Sequence, residues 1–512
     1  MASAYDVVVI GSGLGGLCAA FETARAGKRT LLLERHNLPG GFATSFVRGR
    51  FEFESSLHEM PDMRSVADAT GVVRYLQDDA ALDIDFLPVP EAYRLILTEG
   101  GVDARLPFGR EAFISAIEAQ VPGSREAVSR YMALCAQVQD AFQYLNTAGT
   151  RPDPGKLLRD YGDFLRTGGA TAAQVARSLD MPERAMDLIY PYWCYLGVPA
   201  DRLSFSIWAA LVNSYVSAGA VIPRLRSHEI ASAFVRGIEK AGGDIRLNAR
   251  VAKILCRDGA VEGVETADGE CYTADAVITN ASPTVVFNEL VWPKAQVPAA
   301  AMRNVRSRKS GLSLVVVYLG LDAAPEELAL RDYSYFIAPH MRTEELYENT
   351  KDLESDDIMQ ASVCLNAANP GCSPPGTAIL ALTAGYRAEA WAGVGEGDYF
   401  ATKDRVARRL IEQFERATGT DIVPHIEEIE VATPETFARY TGAYDGIVYG
   451  YEPEPWDGIV PRALAMERES YLDGLRFCGG FSYRCHGYGS SILSGKKAAQ
   501  LALSDLARGG RR

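Results

Sequence analysis

The sequence lacks a membrane-spanning segment: nothing in its 512 residues approaches the run of about eighteen clean apolar residues that a spanning helix needs. Residues 207–222 come nearest, and Asn213 with several serines and glycines interrupts them. It also lacks paired cysteines. There are nine, an odd number with no C-x-x-C spacing, which argues against a disulfide framework or a metal centre and for a reducing, cytoplasmic setting. Positive charge is short, with 52 Lys+Arg against 66 Asp+Glu and a net charge of −14. That balance excludes a nucleic-acid surface and a polybasic membrane address, and leaves peripheral membrane contact open. The basic tail at 508–512 reads as a frayed end. Too few residues precede the first apolar run for a signal peptide to be expected, and neither an internal repeat nor a low-complexity tract occurs. With 47% hydrophobic and 23% charged residues, what remains is an ordinary folded chain, long enough for two domains.

The chain begins with the pattern of a buried parallel strand, a glycine turn, a helix and a second strand. Residues 7–10 are unbroken apolar, and Gly11-Ser12-Gly13-Leu14-Gly15-Gly16 follows at once. A helical pattern then runs over 14–26 to Gly27, and 30–33 is a second apolar run that stops at Glu34. Glycines at 11, 13 and 16 allow a tight turn, close approach of a pyrophosphate and close helix–strand packing. The helix N-terminus offers N–H groups to phosphate. An acid at the end of the second strand suits an unphosphorylated adenosine ribose, hence FAD or NAD rather than NADP. Gly40-Gly41 directly after it suits a loop beneath a second phosphate and a flavin ring, where a side chain would obstruct.

The character then changes. From 65 to 210 helical spacing dominates, with Val128, Tyr131, Cys135, Val138, Phe142 and Leu145 at steps of three and four. Tyr192, Trp193, Tyr195, Phe205 and Trp208 form a weakly charged aromatic region, read as a wall for a large apolar substrate, with plain core as the alternative. A helix over 230–240 precedes runs at 245–247, 250–255, 260–266 and 270–273, joined by Asp-Gly turns and expected to form an antiparallel meander. This closes on a buried strand at 276–279 ending in Asn280. Strand 312–319 and a helix stopped near Gly419 lie in the mixed region 295–450. Near the end, a strand reaches Gly479-Gly480, a loop carries Cys485-His486-Gly487, and a helix from about 492 has Ser490 and Ser491 as expected N-caps. This second strand–glycine–helix places another dipole at the same sheet, so both ends of the chain are expected to hold one cofactor, FAD.

In these segments the chain resembles the phytoene desaturase, carotenoid isomerase and retinol saturase superfamily of FAD proteins, which share the amine oxidase-like flavoprotein fold. The matching text is VVVIGSGLGGLCAA, LLLER with PGGFATSF, GRFEFESSLHE, IASAFVRGIEKAGGDIRLNARVAKIL leading to ADAVITNASP, ATPETFARYT and LRFCGGFSYRCHGYGSSILSGKKAA; LGVPADRLSFSIWAALVNSYVSAGAVIP resembles the saturase-like branch. The resemblance implies an α/β fold: a Rossmann-type FAD-binding domain, parallel sheet plus meander, from 1–65, 220–295 and 455–512. Interleaved with it is a mixed α+β substrate domain from 66–219 and 296–454. Gly11, Gly13, Leu14 and Gly15 are then expected around the pyrophosphate and Glu34 on the ribose. Gly41, Ala43 and Thr44 are expected beneath the flavin, Val251 at adenine, and Gly480, Gly489 and Ser490 at the pyrophosphate and isoalloxazine. Ser12, Gly16, Arg35, Gly40, Leu57, Asn280 and Gly479 complete the expected cofactor contacts, with His58 near the ring face. Two stretches depart from the family text, Pro223-Arg-Leu-Arg-Ser-His228 and Arg484-Cys485-His486-Gly487-Tyr488-Gly489, and put ionisable groups where the family is mostly neutral.

The implied activity is FAD-dependent saturation or desaturation of carbon–carbon double bonds in a long apolar polyene, carotenoid or isoprenoid-like substrate. A cis–trans polyene isomerase, a flavin amine oxidase and a non-enzymatic prenyl-lipid chaperone are the alternatives. His58 and His486, then Tyr195, are the candidates for proton transfer, with a histidine pKa near neutrality expected. Adjacent Cys485 and His486 also allow an activated thiolate. No second G-x-G-x-x-G supplies a nicotinamide domain, so electrons are expected to pass to or from oxygen, a quinone or a separate reductase.

Overall fold

The structure is a computed structural model that describes residues 3–62, 71–148, 153–465, 468–469, 471–482 and 484–509. The expected boundary at 65/66 and the last residues of the basic tail lie outside them. Five strands of one sheet run parallel, in the order Asp244–Arg246, Thr30–Leu33, Ser3–Ile10, Cys271–Thr279 and Leu475–Phe477. Val7, Val9, Leu32 and Ile278 face the helices Leu14–Arg25, His228–Lys240 and Tyr488–Ala507, while Val8, Leu31 and Val277 face the meander and the turns after it. Both faces are covered, which is why these strands read as continuous apolar runs.

Register corrects one expectation. Residues 244–246 do not join the meander: they form the parallel edge strand beside Thr30–Leu33. The meander is Val251–Arg257, Ala260–Thr266 and the first half of Cys271–Thr279. The second half of that same strand pairs with Leu475–Phe477. A local turn signal announces a hairpin, but a parallel neighbour more than two hundred residues away leaves no mark near 245.

The second sheet has seven strands, in the order Ile426–Ala432, Ser313–Leu321, Ala378–Tyr386, Gln360–Cys364, Ser334–Ala338, Tyr93–Leu97 and Val102–Leu106. Alternation divides the strand Ser313–Leu321: Val315, Val317 and Leu319 pack on the helix Tyr399–Thr418, which ends on left-handed Gly419 (φ 73°). Leu314, Val316 and Tyr318 face the opposite way, toward the long helix Arg125–Ala148, the helix Phe205–Ala218 and the hairpin Ser45–Arg48/Phe51–Glu54. The two sheets therefore present the carboxyl edge of one and a face of the other to a shared interior.

Candidate active site

Chemistry-bearing residues follow directly on the carboxyl ends of the parallel strands: Gly11 after Ile10, Glu34 after Leu33, Asn280 after Thr279 and Gly479 just beyond Phe477. They open onto a cavity of about 2100 Å³. Pockets for single small molecules hold about 300–1,000 Å³, so this one has room for a dinucleotide and a second large ligand.

At one end lie two helix N-termini. Gly13 caps Leu14–Arg25 and Gly487 (φ 96°) caps Tyr488–Ala507, and no side chain caps either. Ser490 and Ser491 are thus not N-caps; they sit inside the first turn of their helix. The first-turn N–H groups at both ends stay available to an anion. Asn280 wedges the glycine loops together: a Cβ would stand 2.3 Å from its Nδ2 at Gly13, 2.8 Å from its Oδ1 at Gly15 and 2.5 Å from its Oδ1 at Gly479. Three residues expected at the cofactor do not face the cavity. Ser12 is fully buried with its hydroxyl on Glu34 (2.7 Å), Gly15 packs on Gly479, and Gly16 closes on the Gly11 carbonyl, 1.9 Å from where a Cβ would be. Their smallness serves the packing beneath the loop.

Glu34 accepts from the Ser12 amide (2.6 Å) and the His36 amide (2.8 Å), which fixes its carboxylate at the cavity edge. Gly11, Gly13, Leu14, Arg35, Gly40, Gly41, Ala43, Thr44, Leu57, Val251, Asn280, Gly479, Gly480, Gly489 and Ser490 line the same space. An anion cradle of backbone N–H groups, a fixed carboxylate and a side-chain-free loop at Gly41 (φ 62°) fit the diphosphate, ribose and ring of FAD.

Deeper in, His58, Glu59, Tyr195 and His486 meet. The His486 Nε2–H donates to the Tyr195 carbonyl (2.7 Å), and its ring stacks on Tyr449 at 4.5 Å. His58 Nε2 pairs with Thr383 Oγ1 (3.2 Å), and its ring meets the Tyr195 ring edge-on at 5.8 Å. Burial pushes both imidazoles down to about 4, so they are neutral near pH 7 rather than poised to titrate there. Glu59 behaves in the opposite sense: burial pushes its carboxyl up to about 8, with the Tyr195 hydrogen bond opposing and Glu91 adding to the rise. Glu59 carries no motif that marks it in the sequence as a site residue. The available signal is an acid in the text Leu57-His58-Glu59-Met60. The Cys485 thiol is also raised by burial despite the Arg462 guanidinium 3.0 Å from its sulfur, which removes the activated-thiolate reading.

Comparison with known proteins places this geometry. The profile described as "Flavin containing amine oxidoreductase" matches residues 14–503. The chain belongs to this family. The flavoprotein is 26% identical to all-trans-retinol 13,14-reductase of Danio rerio over 87% of its own length and 77% of the relative's. It is 24% identical to the lycopene-forming phytoene desaturase of Paracoccus sp. over 99% and 98%, and 24% identical to prolycopene isomerase 2 of an Oncidium hybrid over 99% and 85%. Its fold matches that of putrescine oxidase bound to putrescine with a TM-score of 0.63, at 15% identity over 98% of this chain and 100% of that one. The flavoprotein is an FAD-dependent oxidoreductase.

The aromatic wall needs correction. Of the five residues expected there, only Tyr195 lines the large cavity of the flavoprotein. Tyr192 is stacked on Tyr215 at 5.2 Å, Phe205 lies against Tyr131, and Trp208 donates from Nε1 to the Tyr131 hydroxyl (2.6 Å). Trp193 borders a separate void of about 30 Å³. The other face of the same helix lines the cavity, through Ile207, Ala210, Leu211 and Ser214. Their steps of three and four mark one stripe, and the large aromatics occupy the opposite one because core packing rewards buried area. Arg226, one of the ionisable departures from the family text, also stays out of the cavity and pairs with Glu52 at 3.1 Å.

Proposed function

We propose that this flavoprotein acts on carbon–carbon double bonds of a long apolar substrate of the polyene, carotenoid or isoprenoid kind. One observation carries the reading: the space beyond the cofactor loops is continuous with them and walled by alkyl and aromatic groups, among them Phe142, Ile207, Leu211, Leu314 and Val448. The names of the relatives support it. FAD, when bound, supplies or withdraws a hydride. The chain's own residues do the rest. Glu34 and the two uncapped helix ends hold the dinucleotide, the apolar walls align the substrate and keep water out, and Glu59 with Tyr195 holds a proton at the cavity surface.

Segments 1–65, 220–295 and 455–512 are read as the cofactor half and 66–219 with 296–454 as the substrate half. Oxygen, a quinone or a separate reductase is read as the electron partner. The described residues contain no helix long and apolar enough to cross a membrane. A cytoplasmic protein that touches a membrane peripherally to collect an apolar substrate accords with that.

The test is one polyene incubated with FAD-loaded protein, anaerobically with reduced flavin and aerobically with oxidised flavin. A mass change of two hydrogens is expected. Altered retention at constant mass would favour the second reading, cis–trans isomerisation, which the relatives named as prolycopene isomerases support. Peroxide from putrescine with inert polyene would indicate an amine oxidase. Colourless protein that releases no FAD on denaturation would overturn the enzyme reading.

A further inference from the structure

Glu59 lies between the strands Phe51–Glu54 and Met60–Pro61, is 5% exposed and lines the cavity. Its Oε1 accepts the Tyr195 hydroxyl at 2.7 Å, and its backbone carbonyl accepts the Tyr215 hydroxyl at 3.2 Å. Its Oε2 is buried and takes no hydrogen bond from any described residue. The titratable groups packed around it are Tyr195, Tyr192 and Cys194 on one side, Tyr215 on the helix Phe205–Ala218, His58 on its own segment, and Tyr333 and Glu91 from the segments that lead into the second sheet. None of these is a cation at neutral pH, and no ion pair joins Glu59 to a described lysine or arginine. A bare carboxylate in that setting is costly, whereas a neutral acid is not. Because Oε1 is the acceptor for Tyr195, the proton belongs on Oε2, the oxygen with no protein partner.

We propose that Glu59 is the proton donor of a saturation reaction, giving the proton on Oε2 to one carbon of the substrate double bond as hydride arrives at the other. The inference rests on the polyene reading above and chooses a direction within it. The balance is simple. The hydride brings two electrons and one hydrogen from the reduced cofactor, Glu59 brings the proton, and two C–H bonds replace one π bond. Glu59 is left as a carboxylate and takes a proton back from water when product leaves. Desaturation would instead need a vacant base at this place, and a carboxyl that keeps its proton up to about pH 8 is poorly suited to that. The two histidines do not compete for the role. His486 spends its Nε2–H on the Tyr195 carbonyl, and both rings stay neutral. Tyr195 is a positioning residue, since its hydroxyl fixes which carboxyl oxygen keeps the proton.

The experiment uses FAD-loaded protein, wild type, Glu59→Gln and Tyr195→Phe, with all-trans-retinol as the probe, anaerobically reduced and in heavy water. In the wild type, deuterium from solvent is expected at both carbons of the saturated bond, one through Glu59 and one with the hydride, whose hydrogen exchanges with solvent on the reduced cofactor, and the rate should fall as pH rises through about 8. Glu59→Gln keeps the carboxyl's shape and is expected to lower the rate by about 10²–10⁴-fold, to abolish that pH dependence, and to leave bound FAD per chain unchanged. Tyr195→Phe is expected to retain turnover with a displaced pH profile. Independently of turnover, an infrared carboxylic-acid carbonyl band that disappears as pH rises through about 8 should be present in the wild type and absent in Glu59→Gln. A Glu59→Gln enzyme with the wild-type rate and profile, or no such band, overturns the proposal. A wild type that loads FAD and leaves the probe untouched overturns the polyene reading instead, and the two failures differ in which protein is inert.

Discussion

Gly495→Ala adds a single methyl where the helix Tyr488–Ala507 crosses the helix Leu14–Arg25. The new Cβ would stand 2.1 Å from the Gly15 carbonyl oxygen and 3.0 Å from Cys18 Cβ. The near neighbour is backbone, so no rotamer relieves it, and the helices must separate until the contact exceeds 3.0 Å, the approach that real Cβ atoms respect. Overpacking of this kind costs about 1–3 kcal/mol. Both cofactor loops are tied to the crossing, Gly13 by lying just ahead of Gly15 at the helix start and Gly479 through its amide on Ser494 Oγ (2.8 Å). Separation therefore moves the two helix ends apart as well. A tenfold loss of FAD affinity would subtract a further ~1.4 kcal/mol from the loaded protein at saturating cofactor. The assay is denaturant unfolding with and without FAD, together with FAD retained per chain. Gly162→Ala is the control, because nothing lies within 4 Å of its added Cβ, and it should be neutral or stabilising by up to about 1 kcal/mol. A Gly495→Ala protein that unfolds and binds FAD like the wild type would refute the argument. Lost stability with unchanged FAD affinity would refute the link between crossing and site.

Other substitutions and pH test the remaining parts. Folded Glu59 keeps a proton that the unfolded chain loses above 4.5, so stability falls as pH rises from 4.5 through about 8; His58 and His486 remain neutral where the unfolded rings charge, so stability also falls as pH drops from 6.5 through about 4. The slopes approach 1.4 kcal/mol per pH unit per group, and unfolding of Glu59→Gln should lack the alkaline one. Trp208→Ala should cost about 3–5 kcal/mol through the lost core, whereas Leu211→Trp should unfold like the wild type and lose polyene binding in a fluorescence titration. Arg462 is 1% exposed and holds Asp457 at 2.8 Å, so Arg462→Met should cost about 3 kcal/mol by leaving that carboxylate short of a partner. Glu34→Gln sets an amide against the Ser12 and His36 donors and should release FAD on dialysis where the wild type retains it.

The cofactor half was legible because its signals are local. A strand, its glycine turn and its helix lie within the first 25 residues; Gly13, Gly15 and Gly16 each answer a contact that a Cβ would block, and Gly11 answers a left-handed φ of 88°. The substrate half was not, for two reasons. The helix Phe205–Ala218 is apolar nearly all round, so its sequence cannot say which stripe meets a neighbour and which meets the void. The large aromatics drew attention to the wrong one. Glu59 owes its raised carboxyl to burial beneath elements far along the chain, with Tyr195 and Tyr215 more than a hundred residues downstream, so its text alone does not show it. The strand at 244–246 was misplaced for the same reason, its partner being remote.

Cys271–Thr279 is flanked on one side by Ser3–Ile10 and on the other by Leu475–Phe477. A ribosome making this chain therefore releases the first strand long before the last exists. Until the segment at 475 emerges, the central strand has an open edge of unpaired amides and carbonyls beside apolar residues, the kind of surface that recruits other chains. The finished cofactor cradle thus waits until the segment at 475–477 has been made. Overproduction without enough free flavin should then show itself first as insoluble protein and only afterwards as lost activity.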